Sequence, residues 1–137
     1  MTGFPERRKT LNVLKEAALT CGSYDDFPVA PEGVDPAPHL SRNHVPQPFW
    51  LVTAKDEVLV TMSGRGEIRF QDADRTVTGL EPGDVVYLPA RTPSRIIPDG
   101  ELLQVRLKGL PPFTEAVAWY CDRCGDLVHS EEFTADV

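Results

Sequence analysis

The chain has none of the sequence features that a nucleic-acid or membrane partner requires. Its longest run of basic residues is only Arg7–Lys9, and 21 acidic residues against 14 Lys and Arg give a net charge of −7. Binding to a phosphate backbone needs a basic patch, so neither DNA nor RNA is expected as a partner. No apolar stretch approaches the ~18 residues of a membrane helix, and the start, Met1–Phe4, has no signal-peptide core. We therefore expect a cytoplasmic protein without a membrane partner.

Cysteine and histidine, the residues that most often bind transition metals, are scarce. The chain has three of each: Cys21, Cys121 and Cys124, and His39, His44 and His129. Cys121 and Cys124 form a C-x-x-C, a spacing that in a reducing compartment suggests a metal or redox role before a structural disulfide. Cys21 is expected to be buried.

The middle of the chain, residues 49–110, has the pattern of a barrel or sandwich made of short strands. Seven segments of strand-like composition are separated by turn-forming residues: Phe49–Val52, Val58–Met62, Glu67–Phe70, Thr76–Leu80, Val85–Leu88, Arg95–Ile97 and Leu102–Leu107. Short strands at such spacing favour a β-sandwich or barrel. Since a chain of 137 residues, 41% of them apolar, can form one core, we predict a single all-β domain.

The flanking segments differ from this strand region. Residues 1–48 begin with a predicted helix between Pro5 and Gly22. Its apolar face would be formed by residues at three- and four-residue steps, namely Leu11, Leu14, Ala18 and Cys21. A proline-rich arm, Phe27–Pro48, follows, in which we expect neither helix nor strand. Residues 111–137 are expected to form a short carboxy-terminal tail.

Six positions have the spacing of the two cupin motifs. They are Glu57, Gly64, Gly66, Gly83, Pro89 and Pro93. This frame resembles that of the cupins and implies a small jelly-roll barrel, or double-stranded β-helix. Cupins normally carry metal-binding histidines in these motifs. The corresponding positions here hold Leu51, Val52 and Thr53 in the first motif and Ser94 in the second, so no histidine pair can form.

Two further motifs resemble one cupin family, 3-hydroxyanthranilate 3,4-dioxygenase. Leu88–Pro93 is similar to the Leu-Pro-Ala-Arg-x-Pro of that family, and Trp119–Cys124 is similar to the Trp-Tyr-Cys-x-x-Cys of its bacterial members. The resemblance covers about residues 49–133. It implies a catalytic iron in the barrel and, for the bacterial members, an additional iron site at the cysteines.

The iron ligands that the resemblance implies are largely absent. The family holds its catalytic iron with a His, a Glu and a second His, which correspond to Leu51, Glu57 and Ser94. Only the carboxylate is kept, so we predict that the barrel holds no metal. The positions implied for substrate recognition are altered as well and fall near Gln47, Pro98 and Arg106.

Glu57 is the candidate catalytic residue. On a lumen-facing strand its carboxylate would be poorly solvated and would need a partner, and Arg95 and Arg106 are the candidate partners and substrate-binding residues. A Glu beside an Arg in an apolar cup can bind a small aromatic or keto acid and move a proton on it. One alternative is a buried ion pair that only fills the barrel. Another is a metal site completed by His39 or His44 from the arm.

Cys121 and Cys124 are half of a metal-binding motif. Tetrahedral zinc or iron needs two more ligands, from His129, Cys21 or a second subunit. The resemblance implies a second C-x-x-C downstream, which the sequence does not contain. We predict a structural zinc or iron here, with an unused thiol pair as the alternative, and we expect a homodimer.

Three functions are compatible with these residues. The first is a metal-independent enzyme that isomerises, cyclises, hydrates or decarboxylates a small aromatic or keto acid, as in specialised metabolism. The second is a non-catalytic cupin that binds such a ligand or supports a partner enzyme. The third, an iron-dependent 3-hydroxyanthranilate dioxygenase with unusual ligands, is opposed by Leu51 and Ser94. We favour the first, because polar groups at the mouth of a barrel are more easily explained by a ligand than by packing.

Overall fold

The structure is a computed structural model that describes residues 12–18, 24–31, 33–109, 114–121, 123–124 and 126–134. These residues form one short helix and nine strands. The helix α1 spans Val13–Ala17, and the strands are β1 Tyr24–Pro28, β2 Ala37–Asn43, β3 Trp50–Thr53, β4 Glu57–Phe70, β5 Val77–Leu80, β6 Val85–Leu88, β7 Ser94–Lys108, β8 Thr114–Tyr120 and β9 Leu127–Thr134. The predicted all-β class is confirmed. Within this part of the chain there is no helix with the length and apolar character needed to span a membrane.

The two long strands β4 and β7 form the centre of an antiparallel sheet. They pair with each other from Glu57↔Lys108 to Phe70↔Ser94, and the second half of β7 also pairs with β2. The strand order is β1-β2-β7-β3-β8-β9, and β5 and β6 pair with β4. Register shifts between Thr61 and Arg65 interrupt the β4–β7 ladder. Such bulges bend a strand and increase its twist, which lets both long strands curve around one interior.

Gly64 and Gly66 are required because β4 passes very close to β7 at this bend. Gly64 has a φ of +88°, which favours glycine, and a Cβ there would overlap the carbonyl oxygen of Glu101. At Gly66 a Cβ would lie 2.6 Å from the carbonyl oxygen of Ile97. The expectation that turns at Ser63–Gly66 and Pro98–Gly100 separate pairs of short strands was wrong. Both segments lie inside single long strands, β4 and β7.

The hydrophobic core fills much of the barrel interior. Seven buried side chains of β4 to β7 pack together there, namely Leu59, Ile68, Phe70, Leu80, Leu88, Ile96 and Leu102. Fully burying a side chain of this size stabilises the fold by about 1.5–3 kcal/mol. A smaller cluster of Ala17, Leu40 and Leu103 lies on the outer face of β2 and β7, where α1 covers the sheet.

The amino-terminal helix is shorter in the structure than predicted, and it buries a different face. It begins at Val13, where the Asn12 side-chain oxygen caps it by accepting hydrogen bonds from the Leu14 and Lys15 amides. Ala17 is the buried contact, whereas Leu14 is 56% exposed. The predicted face was therefore wrong at Leu14 and also at Ala18, which is exposed. Leu11 and Cys21 lie outside the described residues.

The segments expected to lack regular structure contain four strands. The arm, Phe27–Pro48, includes the end of β1 and all of β2, which pairs with β7 from Ala37↔Lys108 to Asn43↔Leu102. After residue 111, β8 and β9 form a hairpin that joins the sheet through β3. The hydrophobic pattern does not reveal β2 because its inward residues are polar, so the alternation of apolar and polar residues is reversed.

Candidate functional site

Next to the hydrophobic core, where β4 begins and β7 ends, the barrel interior is lined by polar and charged side chains. β7 lies between β4 and β2, so Arg106 is directly opposite Leu59 on one side and His39 on the other. Alternate residues of a strand share a face, and Gln104 and Lys108 therefore point inward with Arg106. All three are buried, as is Glu57 at the start of β4.

Five ionisable side chains meet in this interior, and we call them the lumen cluster. They are Asp26, His39, Glu57, Arg106 and Lys108. Arg106 Nη1 lies 3.0 Å from Glu57 Oε1, and Arg106 Nε lies 3.8 Å from Asp26 Oδ2. Lys108 Nζ is 3.4 Å from Asp26 Oδ2, and His39 Nδ1 is 2.8 Å from Asp26 Oδ1. Two carboxylates thus balance two permanent cations, with an imidazole beside them.

Asp26 is held ionised by its neighbours. Burial raises the pKa of its carboxyl, but the hydrogen bond with His39 and the charges of Lys108 and Arg106 outweigh this and lower the pKa to about 2. The side chain nevertheless keeps 34% of its surface exposed. The cluster therefore reaches solvent at β1, whereas Glu57 at 3% and Arg106 at 2% lie deeper.

Two buried polar atoms next to the Glu57–Arg106 pair find no hydrogen-bond partner among the described residues. They are Arg106 Nε, a donor, and Gln104 Oε1, an acceptor. The Gln104 amide nitrogen donates to Thr61 Oγ1 at 3.1 Å, which fixes its carbonyl end. Buried polar groups are usually satisfied, and these two belong to neighbouring inward positions of β7. A small molecule with both an acceptor and a donor could satisfy both.

The residues at the implied catalytic iron site do not fit that metal. Leu51 of β3 lies directly opposite Ser94 of β7, so the two positions that would supply imidazoles face each other with an alkyl and a hydroxyl group. The third position, Glu57, is paired with Arg106, and Lys108 adds a second positive charge to the same interior. Iron that activates oxygen prefers two imidazoles and a carboxylate with open positions, and cations nearby oppose its binding.

The two histidines of the former arm lie in or near the sheet. His39 points into the interior, as the metal-bound alternative requires, but its Nδ1 is hydrogen-bonded to Asp26. His44 is half-buried just after β2, and its Nδ1 has no hydrogen-bond partner among the described residues. Within the part of the chain that the structure describes, no three His, Cys, Asp or Glu side chains form a group that could hold a metal ion.

Only one of the two arginines considered as partners of Glu57 contacts it. Arg106 forms the ion pair, as one of the two alternatives predicted. Arg95 follows the inward residue Ser94 and so points to the outer face of β7, where its Nε donates to the Gln47 carbonyl oxygen at 2.6 Å. Gln47, a position implied for recognition, is buried and its side chain is bonded to Asn43 and to the Ile96 amide.

The C-x-x-C lies at the turn between β8 and β9. Its first amide, of Cys121, donates to the Asp126 carbonyl oxygen at 2.8 Å, and neither Cys121 nor Cys124 forms a disulfide among the described residues. His129, the proposed third ligand, packs against Trp119 with ring centroids 5.4 Å apart. Its Nε2 lies 3.2 Å from Glu131 Oε1. Cys21 lies outside the described residues. The structural metal remains a prediction.

Sequence reasoning identified Glu57 and Arg106 but missed the other charged members of the lumen cluster. Asp26 was not recognised because β1 was not predicted as a strand. Lys108 could have been found, since it continues an alternation in which Gln104 and Arg106 share one face. Long-range pairing with β2 and β4 makes that face the interior.

Comparison with solved structures establishes the fold. A cupin-2 domain protein from Shewanella frigidimarina matches with a TM-score of 0.64 and 17% identity over 77% of this chain and 100% of that one. A Neisseria meningitidis protein matches with a TM-score of 0.63 and 18% identity over 74% of this chain and 100% of that one. A hydroquinone 1,2-dioxygenase from a Sphingomonas species, solved with 4-hydroxybenzoate bound, matches with a TM-score of 0.62 and 16% identity over 72% of each chain.

These similarities confirm the predicted cupin fold. No protein-family model matches the sequence, and no curated protein matches it significantly. At 16–18% identity the solved structures show a shared fold, and one fold hosts many functions. The function must therefore be argued from the residues in the barrel.

Proposed function

We propose that the lumen cluster binds a small aromatic or keto acid and that Glu57 moves a proton on this ligand without a metal. The observation that carries the proposal is that Arg106 Nε and Gln104 Oε1, buried beside the Glu57–Arg106 ion pair, accept or donate no hydrogen bond among the described residues. A keto or hydroxy acid carries acceptors for the guanidinium and, as an enol or alcohol, a donor for the amide oxygen. The hydrogen-bonding needs of Arg106 Nε and Gln104 Oε1 are thus complementary to this ligand class.

The charges of the cluster suit proton transfer next to a carbonyl group. Arg106 and Lys108 supply fixed positive charge where an enolate oxygen would develop, and such stabilisation is strongest where water is excluded. The Glu57 carboxylate can accept a proton from the carbon beside the carbonyl and return it to another atom of the ligand. This completes an isomerisation in which no atom or electron is lost.

The fold itself accommodates ligands of this size. The similar Sphingomonas structure holds 4-hydroxybenzoate, a small aromatic acid. This supports the size and class of the proposed ligand and leaves its identity open to a ligand screen.

A non-catalytic ligand-binding cupin, with or without a partner enzyme, is the second candidate. It is favoured by the burial of Glu57 and Arg106, 3% and 2% exposed, since a ligand must displace protein groups or enter past β1 to reach them. On this hypothesis the acid binds near Asp26 and undergoes no reaction. The dioxygenase alternative is the least supported, because Leu51 and Ser94 offer iron no imidazole.

The test is proton exchange on a keto acid. Phenylpyruvate in D₂O, followed by proton NMR, should lose its benzylic proton signals faster with the protein than without it. Glu57→Gln should slow this exchange by about 10²- to 10⁴-fold, the usual effect of losing a general base. Glu101→Gln is the matched control, because Glu101 pairs with Arg42 at the surface. A Glu57→Gln rate equal to that of the wild type would remove Glu57 from the mechanism.

Two further measurements separate the other candidates. Thermal stabilisation by phenylpyruvate without any catalysed exchange would favour the non-catalytic binder. Oxygen consumption with 3-hydroxyanthranilate after Fe(II) is supplied would favour the dioxygenase, and we expect none.

A further inference from the structure

We infer that a cavity on the outer side of the barrel is a binding site for a small aromatic carboxylate, separate from the lumen cluster. The cavity has a volume of about 410 Å³, and the residues relevant here are Trp50, Arg69, Arg75, Arg95, Tyr120 and Cys121. This volume lies in the range of small-ligand sites, about 300–1,000 Å³. The inference is independent of the proposed function, because neither Glu57 nor Arg106 lines this cavity.

The arrangement of two arginines in this cavity calls for an anion. Arg69 of β4 and Arg95 of β7 are directly opposite each other in the sheet, and both point to the outer face. Like charges in directly opposite positions destabilise a strand pair. Arg69 is compensated by Glu67, 2.7 Å away, but the bond that the structure gives Arg95 is to the uncharged carbonyl of Gln47. A carboxylate on the Arg95 side would complete the compensation.

The charge of the cavity differs from that of the chain as a whole. Its lining includes three arginines and one acidic residue, Glu67, whereas the net charge of the chain is −7. Asp72 is not among the residues that line the cavity, and both oxygens of its carboxylate accept hydrogen bonds from Thr76, one from the amide and one from the hydroxyl. A local excess of positive charge in a low-dielectric concavity attracts anionic ligands.

The strands beside β7 supply aromatic surface to the same cavity. Trp50 of β3 and Tyr120 of β8 meet edge to face, with ring centroids 5.9 Å apart and an interplanar angle of 82°. This arrangement leaves ring surface on which another aromatic ring can pack. Arginine forms bidentate pairs with carboxylates. Guanidinium groups on β4 and β7 beside rings on β3 and β8 therefore match a ligand with a ring at one end and a carboxylate at the other.

The test is calorimetric titration with 1-naphthoate, using neutral 1-naphthamide as the matched ligand without charge. The wild type should bind 1-naphthoate at least about 10-fold more tightly, since hydrogen bonds to charged groups discriminate by about 10- to 100-fold. Arg95→Gln and Arg75→Gln should each remove most of this preference. Arg75→Gln guards against a folding defect in Arg95→Gln, because the Arg75 side chain is exposed in the loop before β5. Trp50→Leu should weaken both ligands.

Three controls keep the result specific. Arg65→Gln removes an exposed arginine of β4 that pairs with Glu81 outside this cavity, and it should leave binding unchanged. Trp119→Leu removes the other tryptophan, and Glu101→Gln removes a carboxylate of β7 that does not line this cavity. Neither should affect 1-naphthoate. The inference is overturned by absent 1-naphthoate binding, by equal affinity for 1-naphthamide, or by an equal effect of Arg65→Gln.

Discussion

The two ends of the barrel interior are built on the same strands but have opposite chemistry. At one end β4 and β7 contribute Ile68, Phe70 and Ile96 to an apolar core. At the other end they contribute Glu57, Arg106 and Lys108. Burying an ion costs several kcal/mol, which its partner's attraction often only offsets. The apolar end therefore stabilises the fold, while the charged end costs stability that a binding or catalytic role would justify.

The largest expected effect comes from breaking the buried ion pair. Arg106→Met should lower the free energy of unfolding by about 3–5 kcal/mol, because Glu57 would remain buried without its partner. Replacing both residues, Glu57→Leu with Arg106→Met, should restore stability or raise it above that of the wild type. Urea denaturation of the single and double variants measures this.

The exposed pair Arg65 and Glu81 provides the control for that comparison, since surface pairs contribute only about 0–1 kcal/mol. If the double variant were as unstable as Arg106→Met, the ion pair would be a net stabilising element, and the contrast between the two ends would fail.

Truncation in the apolar end should cost nearly as much. Ile96→Ala removes a fully buried side chain of the core and should lower the free energy of unfolding by about 2–5 kcal/mol. Val85→Ala, at a side chain that is 66% exposed, should change it by less than about 0.5 kcal/mol. Ile96→Ala should leave the exchange of phenylpyruvate protons unchanged in the folded protein. A selective loss of that activity would mean that the two ends are not separate in role.

A smaller effect is expected from pH through Asp26. Its pKa is lowered from 3.8 to about 2 on folding, so the folded state binds a proton less readily than the unfolded one. The stability that Asp26 contributes is present above about pH 4 and is lost as the pH falls towards 2. Asp26→Asn should therefore flatten the decrease in stability between pH 4 and 2, as measured by denaturation at several pH values. Asp99→Asn, at an exposed residue of β7, is the control, and an identical flattening there would contradict the assignment.

The smallest effect on the barrel is expected at the cysteines. We propose that Cys121 and Cys124 hold a structural zinc or iron at the β8–β9 turn, completed by other ligands of this chain or of a second subunit. Elemental analysis should find the metal in the wild type and not in the Cys121→Ser, Cys124→Ser double variant, while the stability of the β4–β7 core changes little. A chelator should expose the hairpin to proteolysis first. Stoichiometric iron left in the double variant would place a metal in the barrel and contradict the lumen proposal.

How well the sequence predicted each strand depended on the environment of its side chains. β3, β5 and β6 were found within one or two residues, because their residues alternate or form short apolar runs between turns. β4 and β7 were each divided in two, since Gly64 and Gly100 look like turn residues until the bend is seen. β1 and β2 were missed because prolines and inward polar residues conceal their period of two.

The candidate site was predicted in part for the same reason. Glu57 stood out because it occupies the carboxylate position of the cupin motif, and Arg106 because it alternates with apolar residues near the end of the predicted barrel. Their 3.0 Å contact follows from adjacent strands. Arg95 was an equal alternative as the partner of Glu57. Because side chains alternate between the two faces of β7, Arg95, which follows the inward Ser94, points outward, whereas Arg106 points inward. Asp26 comes from 31 positions before Glu57, and no local pattern indicates that it reaches the same interior.

By itself the sequence determined the all-β class, the glycine and proline frame of a cupin, and the loss of imidazoles at Leu51 and Ser94. These are local properties, set by residue type, by spacing along the chain and by the conformations that glycine and proline allow. Only the tertiary structure decided which charges are buried together and that Asp26 and Lys108 join the Glu57–Arg106 pair. It also decided that Arg95 lines a separate outer cavity with Trp50 and Tyr120. The reason is that strand register and curvature depend on pairing between distant segments, and a shift of one residue would turn each side chain to the other face of the sheet.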